Sequence, residues 1–222
     1  MNNIKKLPDN LINQIAAGEV IERPSSALKE LIENSIDAGA SKISISLSEG
    51  GKTLIEVIDD GMGMNLHDLK MCLERHATSK INDGDLVHIN SLGFRGEALP
   101  SIGSIANLAI ESYDKLKDEA WKISIINNKK NIEPSLIRFG TKVTITDLFL
   151  KVPARLKFMK TNATEIRYCK EVVKHLAMSH PKISFSLTID SKRIFNWEKS
   201  EKADFEGAKN RLYQVMGEDF IK

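Results

Sequence analysis

Small and apolar residues recur at helical spacing in residues 24–39 and predict one helix there. Pro24 suits the first turn of this helix, and a serine at position 25 or 26 can cap it. Gly39 can end it in a left-handed conformation. The apolar side of the helix is predicted to comprise Ala27, Leu28, Leu31, Ile32, Ser35 and Ile36.

Alternation of apolar and polar residues predicts strands on either side of short turns. In residues 42–48 every second side chain is apolar, which predicts a half-buried strand. A hairpin turn at 49–51 leads to a more fully buried return strand at 54–58. The remaining predicted strands are near 107–113, 120–126, 141–147, 183–189 and 193–197, and the remaining predicted helices are 8–17 (stopped by Gly18), 65–76, 97–106, 161–178 and 204–216. Helices with a mostly antiparallel mixed sheet predict an α+β layered fold.

Composition narrows the class of protein without naming a ligand. The 222 residues carry a net charge of +2, so nucleic-acid binding would need a local basic surface. The two cysteines are far apart in sequence, which argues against a disulfide scaffold and fits a reducing cytoplasm. There is no signal peptide and no apolar run long enough to span a membrane, so we expect a cytoplasmic protein.

The polar face of the 24–39 helix carries four side chains that suit chemistry. Glu30, Glu33, Asn34 and Asp37 follow i, i+3, i+4 and i+7 spacing and therefore share one face. A solvated acidic face is the ordinary interpretation of such a pattern. The asparagine is the exception, because its amide oxygen can ligate a metal.

Three common sites are excluded by spacing. The Gly50-Gly51-Lys52-Thr53 run lacks the first glycine of a P-loop and lies in a hairpin. Gly61 and Gly63 begin a dinucleotide fingerprint that position 66 breaks. Cys72 and His76 are one helical turn apart, but no second pair completes a zinc site.

Three short stretches remain as candidates for a nucleotide site. Asp59 ends a buried strand before Gly61 and Gly63, so its carboxylate could accept a hydrogen bond from a base amine; a simple turn explains the same letters. The hydroxyls and lysine of residues 75–80 suit phosphate oxygens, and equally a capped helix end. Residues 93–98 place glycines before a helix, where free N–H groups cradle phosphates, although glycine-rich loops are common.

Taken together, five stretches resemble the MutL family of DNA mismatch-repair proteins. They are residues 15–20, 29–40, 59–63, 75–80 and 93–98, in this order and spacing. The resemblance implies the ATP-binding fold shared with DNA gyrase B, Hsp90 and histidine kinases, the Bergerat type. That fold is a two-layer α/β sandwich with helices on one face of a mixed, mostly antiparallel sheet. It further implies that residues 1–200 form the ATP-binding domain and that 201–222 end it and begin a connection to a second domain.

The resemblance also implies roles for individual residues. Glu30 matches the general base that activates water, and Asn34 matches the side-chain ligand of Mg²⁺. Asp59 matches the carboxylate that reads adenine. The implied ATP-binding set is Asn34, Asp37, Asp59, Gly63, Thr78, Ser79, Lys80, Gly93, Phe94, Arg95, Gly96 and Thr141. Within that set Gly93 to Gly96 match a lid over the phosphates, and Thr141 matches a hydroxyl near the base.

The sequence departs from the family pattern in two ways. The family's chain continues into a second domain that supplies a lysine to the terminal phosphate, so this chain is expected to be a fragment. The usual Thr-Pro-Ala-Arg-Arg-Lys-Phe run has lost one basic residue at 152–158. The surrounding basic residues could contact a DNA backbone weakly, or they could form an ordinary solvated face; they are Lys151, Arg155, Lys157, Lys160, Arg167, Lys170 and Lys174.

The implied function is an ATP-driven switch in mismatch repair. ATP and Mg²⁺ would order the loops around 77–97, a second copy would pair with the ordered surface, and hydrolysis would release it. The implied partners are a mismatch-recognition protein, a strand-incising endonuclease or helicase, and DNA. A histidine kinase is excluded because few residues precede the site, and a topoisomerase is not expected to carry residues 15–20 and 93–98 in this form. A nucleotide- or DNA-binding module without turnover remains the alternative.

Overall fold

A computed structural model describes residues 5, 7–80, 96–201 and 205–217, apart from the side chains of residues 9, 10, 13, 16 and 19. The helices are α1 (Asp9–Val20), α2 (Pro24–Asp37), α3 (Leu66–Met71), α4 (Ala98–Ile105), α5 (Pro153–Leu156), α6 (Asn162–Ser179) and α7 (Phe205–Met216). The strands are β1 (Lys42–Ser48), β2 (Leu54–Asp59), β3 (Asn107–Asp114), β4 (Glu119–Ile126), β5 (Lys129–Pro134), β6 (Thr141–Thr146), β7 (Ser184–Ile189) and β8 (Lys192–Trp197). A short 3₁₀ helix, Glu49–Gly51, replaces the predicted hairpin turn between β1 and β2.

The strands form one eight-stranded sheet in the order β5-β4-β3-β6-β2-β1-β7-β8. β1 and β7 run parallel, and the other neighbouring strands run antiparallel. Helices α2, α4 and α6 pack against this sheet. The α+β sandwich with a mixed, mostly antiparallel sheet is therefore confirmed.

One apolar row crosses the whole sheet and forms the centre of the core. The residues in register are Phe195, Leu187, Ile45, Val57, Val143, Ile110, Ile123 and Ile132, one from each strand. Because side chains alternate along a strand, this register points the whole row to one face. Most of the row is buried, whereas Ile132 on the edge strand β5 is exposed. Two residues along from this row, Asp59 ends β2 and Thr141 begins β6.

The neighbouring row on the other face is a ladder of alternating charge. Lys142 pairs with Glu111 at 3.1 Å, and Lys122 pairs with Glu133 at 2.9 Å. The same ladder places Ser135 Oγ 2.6 Å from Glu111, which accepts its hydrogen bond. Burial would raise the pKa of Glu111, but the hydrogen bonds from Ser135 and Lys142 outweigh it and lower that pKa. Opposite charges on adjacent strands stabilise an exposed sheet face.

Helix α2 follows the prediction except at its cap. Pro24 occupies the first turn as predicted, but Arg23 is the N-cap residue and no side chain caps the helix, so the predicted serine cap is wrong. Ser25 is instead buried in the packed face. Gly39 has a φ of 72° and ends the helix in the left-handed conformation, as predicted.

Other boundaries differ from the sequence prediction for local reasons. Gly18 does not stop α1, which continues to Val20. Helix α3 ends at Met71, short of the predicted 76. Strand β5 and helix α5 were not predicted, because the polar residues of β5 lie on the edge of the sheet and α5 is a single turn. Within the described ranges, no helix has the length and apolar character needed to cross a membrane.

Candidate functional site

The polar face of α2 forms one end of the site. Lys80 Nζ lies 2.8 Å from Asn34 Oδ1, which accepts its hydrogen bond, and it forms an ion pair with Asp37. Glu30 lies one helical turn before Asn34 on the same face of α2. The fold thus brings four of the sequence-predicted residues together, Glu30, Asn34 and Asp37 from one helix and Lys80 from the loop after α3.

Glu30 is half-buried and has an altered acidity. Burial raises the pKa of its carboxyl above the ordinary value, and the negative charge of Glu33 raises it further. Glu33 is only 7% exposed and pairs with Lys29 at 3.1 Å. The expectation that Glu33 belongs to a solvated face is therefore wrong, because tertiary packing covers it.

Asp59, at the end of β2, is 4% exposed and accepts several hydrogen bonds. Ser35 Oγ donates to its Oδ2 at 2.7 Å, and the Gly61 N–H donates to its Oδ1 at 2.9 Å. Burial raises the pKa of Asp59, and the hydrogen bonds from Ser35, Gly61 and the Thr141 backbone only partly offset that rise. Since Ser35 belongs to α2, a side chain of that helix holds the carboxylate in place.

Asp60, the next residue, has a structural role. Its carboxylate accepts from the backbone N–H groups of Ser41 and Lys42 at 2.7 and 2.8 Å and from the Ser41 hydroxyl. Burial opposes ionisation, but these hydrogen bonds dominate and the pKa of Asp60 is lowered. Asp60 therefore fixes the turn between α2 and β1, which leaves Asp59 as the acid facing the site.

Two glycines allow the backbone segments around Asp59 to touch. Gly63 has a φ of 73°, and a Cβ there would collide with the Tyr113 carbonyl oxygen. Gly140 has a φ of 55°, and a Cβ there would collide with the Asp59 carbonyl oxygen. Both positions need glycine for two reasons, the left-handed conformation and the absence of space. The geometry places Gly63 beside the strand ends that carry Asp59 and Thr141.

Thr141 pairs with Asp59 in the register of β2 and β6 and is 8% exposed. Its Oγ1 lies 3.0 Å from Ser112 Oγ, which also accepts the Met64 N–H at 2.8 Å. The sequence patterns did not identify Ser112 as a candidate site residue. The available signal was its position two residues after Ile110 on the core-facing side of β3, where a buried polar group needs a partner.

The remaining predicted residues lie where two loops meet. Thr78 Oγ1 accepts from the Lys80 backbone N–H at 3.2 Å, and Ser79 is exposed. Gly96 lies so close to Ala77 that a Cβ there would collide with its carbonyl oxygen. The start of α4 therefore abuts the 77–80 segment, beside Asn34 and Asp37. Gly93, Phe94 and Arg95 lie outside the described residues.

The oxygen atoms on α2 fit a magnesium ion. Asn34 and Asp37 offer an amide and a carboxylate oxygen to a shared point, and a positive group, the Lys80 ammonium, makes contact with both. Mg²⁺ takes oxygen ligands and needs only one or two from a protein when phosphates and waters complete the octahedron. Within the described ranges there is no cluster of three or more acidic, histidine or cysteine side chains that could hold a metal ion.

Part of the basic region is used inside the fold. Arg155 donates to the carbonyls of Gly18 and Ile21 at 2.8 and 3.2 Å, and Lys151 donates to that of Gly103 at 2.8 Å. Burial lowers the pKa of Lys151. These two side chains hold α1 and α4 in place, so only the other basic residues remain candidates for contact with DNA.

Comparison with known proteins agrees with this geometry. A family model described as histidine kinase-, DNA gyrase B- and HSP90-like ATPase matches residues 21–144. The chain belongs to this ATPase family. Within the family it is 48% identical over 220 residues to the DNA mismatch repair protein MutL of Rickettsia bellii, and 47% identical over 219 residues to that of Paramagnetospirillum magneticum. These alignments cover 99% and 98% of this chain, but 36% of each relative.

Two solved structures with related sequences have the same fold. The Aquifex aeolicus MutL ATPase domain complexed with ADP superposes with a TM-score of 0.71 at 29% identity, over 89% of this chain and 70% of that one. The N-terminal domain of a DNA repair protein gives a TM-score of 0.73 at 27% identity, over 93% and 60% of the two chains. The resemblance to MutL, read from five short stretches, is confirmed along nearly the whole chain.

Proposed function

We propose that this ATPase-family domain binds ATP with Mg²⁺ and hydrolyses it as the nucleotide switch of DNA mismatch repair. One observation carries the proposal: α2 contributes to both ends of the site. Ser35 holds Asp59, and Glu30, Asn34 and Asp37 lie on its polar face with Lys80. Because one helix carries both groups, their separation is fixed before any ligand arrives. The relative from Aquifex aeolicus was solved with ADP, which supports a nucleotide as the ligand.

The base would bind at Asp59. An ionised carboxylate is an acceptor with about four lone-pair sites. Ser35 and Gly61 each donate to one of its two oxygens, which leaves capacity for the exocyclic amine of adenine. Gly63 would line the base pocket, since its lack of a side chain keeps the adjacent backbone accessible.

The phosphates would bind at the other end, near Asn34 and Lys80. When bound there through Asn34, Mg²⁺ would polarise the phosphate oxygens and neutralise charge during transfer. Lys80 would exchange its contacts with Asn34 and Asp37 for phosphate oxygens, with Thr78 and Ser79 beside it. Glu30, one helical turn before Asn34, would take the proton of the attacking water. Its raised pKa makes it a stronger base than an ordinary glutamate.

The switch itself would act through a lid and a second copy of the chain. Gly93, Phe94, Arg95 and Gly96 would close over the phosphates, and closure would favour pairing of two copies. The chain spans 36% of the length of the MutL relatives, so the signal to mismatch-recognition and strand-incising partners, and any weak contact with DNA, belongs to this proposal. It rests on the similarity to MutL.

Titration of the domain with ATP, with and without Mg²⁺, tests the proposal directly. We expect saturable binding that Mg²⁺ strengthens, and release of inorganic phosphate over time. Binding without any phosphate release would favour the alternative, a nucleotide-binding module without turnover. Absence of nucleotide binding would reject both.

A further inference from the structure

We propose that Ser112 is a positioning residue for base recognition, which sets the Thr141 hydroxyl as a hydrogen-bond donor toward the base. The proposal rests on the proposed function, because it concerns the base end of the same site. Ser112 is fully buried in β3 and lies between the 61–64 turn and Thr141. Its role follows from counting the protons around one oxygen atom.

The Ser112 hydroxyl has one proton and a limited choice of acceptors. Its oxygen already accepts the Met64 N–H at 2.8 Å, a donor that cannot reverse. Thr141 Oγ1 lies at 3.0 Å and the Gly140 carbonyl at 3.4 Å. The second distance is long for an O–H···O hydrogen bond, and that carbonyl also accepts the Tyr113 N–H at 3.0 Å. We assign the proton of Ser112 to Thr141, because that contact, at 3.0 Å, is shorter than the 3.4 Å contact to the Gly140 carbonyl.

The direction of the Ser112 proton determines whether the Thr141 hydroxyl acts as a donor or as an acceptor toward the base. Once Thr141 Oγ1 accepts from Ser112, its own proton must point to another acceptor. Thr141 pairs with Asp59 in the register of β2 and β6, so its hydroxyl lies on the strand next to that acid. The chain of donors runs from Met64 N–H through Ser112 to Thr141, and such chains strengthen one another when buried.

The site then presents an acceptor beside a donor. Asp59 accepts and Thr141 donates, which complements the amine and the adjacent ring nitrogen N1 of adenine. Guanine presents the reverse pattern, a carbonyl oxygen beside an N–H. The donor reaches N1 directly or through one ordered water. Ser112 thereby adds to the selection of adenine without touching it.

The test compares ATP with 1-deaza-ATP, which has a C–H group in place of N1. Binding of both to wild type and to Ser112→Ala is measured by calorimetric titration at one Mg²⁺ concentration. Wild type is expected to bind 1-deaza-ATP roughly three- to tenfold more weakly than ATP, the effect of one net hydrogen bond. Ser112→Ala is expected to weaken ATP binding by a similar factor and to change 1-deaza-ATP binding less than about twofold.

Three further measurements keep the test decisive. Ser124→Ala, which removes the same hydroxyl from a buried serine of neighbouring β4, should leave the preference unchanged. Thr141→Val should abolish the preference for ATP over 1-deaza-ATP, and adding Ser112→Ala to that variant should not change either affinity further. The ratio of the two affinities in each variant comes only from folded molecules that bind nucleotide, so a partly unfolded variant still gives a result.

Two outcomes would overturn the assignment of Ser112. Equal weakening of both nucleotides would mean that Ser112 only supports the fold, and unchanged affinities for both nucleotides would mean that Thr141 needs no orienting partner. In both cases wild type would still bind ATP, so the proposed function would stand. Wild type that binds no ATP would instead reject the proposed function, and this proposal with it.

Discussion

Glu30 is the residue on which turnover is expected to depend. Replacing it by glutamine keeps the size of the side chain but removes the base, and we expect the rate of phosphate release to fall by about 10²- to 10⁴-fold. ATP affinity should change little, because the glutamate acts on water and not on the nucleotide. The measurement is single-turnover phosphate release beside equilibrium ATP binding, in this chain and in a chain of its relatives' length.

A matched control separates the base from a general loss of acidity on α2. Glu33→Gln removes a neighbouring carboxylate that pairs with Lys29. That variant should retain most of the hydrolysis rate, since Glu33 is the more deeply buried of the two and points to Lys29. A Glu30→Gln protein that hydrolyses ATP at the wild-type rate would remove Glu30 from its proposed role.

The raised pKa of Glu30 also predicts how pH affects activity and stability. Hydrolysis needs the ionised form, so the rate should fall on acidification at a higher pH than an ordinary glutamate would cause. Stability has the opposite dependence. Between the unfolded and the raised folded pKa values only the folded state binds the proton, so the free energy of unfolding falls as pH rises through that window.

Glu30→Gln should therefore unfold at a higher temperature than wild type above that window, and at a similar temperature below it. Thermal unfolding at a series of pH values measures the difference in both pH ranges. A variant that is less stable than wild type at neutral pH would contradict the assigned cause, which is burial of the charge.

Asp59→Asn tests the base end of the site. The substitution replaces one acceptor oxygen by an NH₂ group, and a hydrogen bond to a charged group contributes about 1.5–3 kcal/mol. ATP affinity should fall by roughly 10- to 100-fold. Asp118→Asn, the same change in the exposed β3–β4 turn, serves as the control in the same titration. Equal ATP affinities for the two variants would rule out Asp59 as the base-reading group.

At the scale of elements, α5 is a single turn that secures a much longer helix. Arg155 of α5 donates to the carbonyls of Gly18 and Ile21 at the end of α1, and its guanidinium lies over the Phe149 ring. A cation is favourable at a helix C-terminus, where unpaired carbonyls concentrate negative charge. This contact joins residues more than 130 positions apart and ties α5 to the last turn of α1.

Arg155→Gln should lower the free energy of unfolding by about 1–3 kcal/mol, because it removes a charged hydrogen bond that is partly buried. Lys157→Gln, two positions away on an exposed side chain, should change it by less than about 0.5 kcal/mol. Chemical denaturation of both variants gives the comparison. Similar values for the two would mean that the Arg155 contacts are not stabilising.

Helix α7, which contacts the edge strand β8, is attached in a comparable way. Arg211 is 1% exposed and donates to the carbonyls of Ala177, Ile183 and Glu198, while its guanidinium lies near the Phe185 ring. Burial lowers the pKa of Arg211. The guanidinium donates hydrogen bonds to carbonyl oxygens of three segments at once. An apolar residue at this position would leave those buried carbonyls unpaired, which explains why a charged side chain is buried here.

For the whole molecule, the proposed nucleotide site predicts a change in stability on binding. A ligand at 100 times its dissociation constant stabilises the folded state by about 2.7 kcal/mol. In a domain of this size that corresponds to an unfolding temperature roughly 5–10 °C higher. ATP with Mg²⁺ should produce this shift, and Asp59→Asn should remove it at the same ATP concentration.

Light scattering on the same samples shows whether binding also pairs two copies of the chain.

GTP serves as the control nucleotide for the thermal shift, since its base presents the reverse hydrogen-bonding pattern at Asp59. An equal shift with GTP and ATP would place the affinity in the phosphates alone and would contradict base reading at Asp59.

The sequence by itself determined the elements that have a strong period and the set of candidate residues. Residues 24–39 and 42–48 were predicted correctly because their apolar spacing depends only on neighbours in the chain. The motif stretches also identified the family, since their residue types and spacing are independent of how the chain packs. Edge strand β5 gave no such signal, because it has few side chains to bury.

Only the tertiary structure decided which side chains meet. The contacts of Ser35 with Asp59, of Lys80 with Asn34, and of Ser112 with Thr141 join separate parts of the chain. Burial likewise came from packing: Glu33 has the spacing of a solvated face and is nevertheless covered. Local periodicity fixes the direction of a side chain on its own element, whereas its partner and its solvent exposure depend on elements that are distant in sequence.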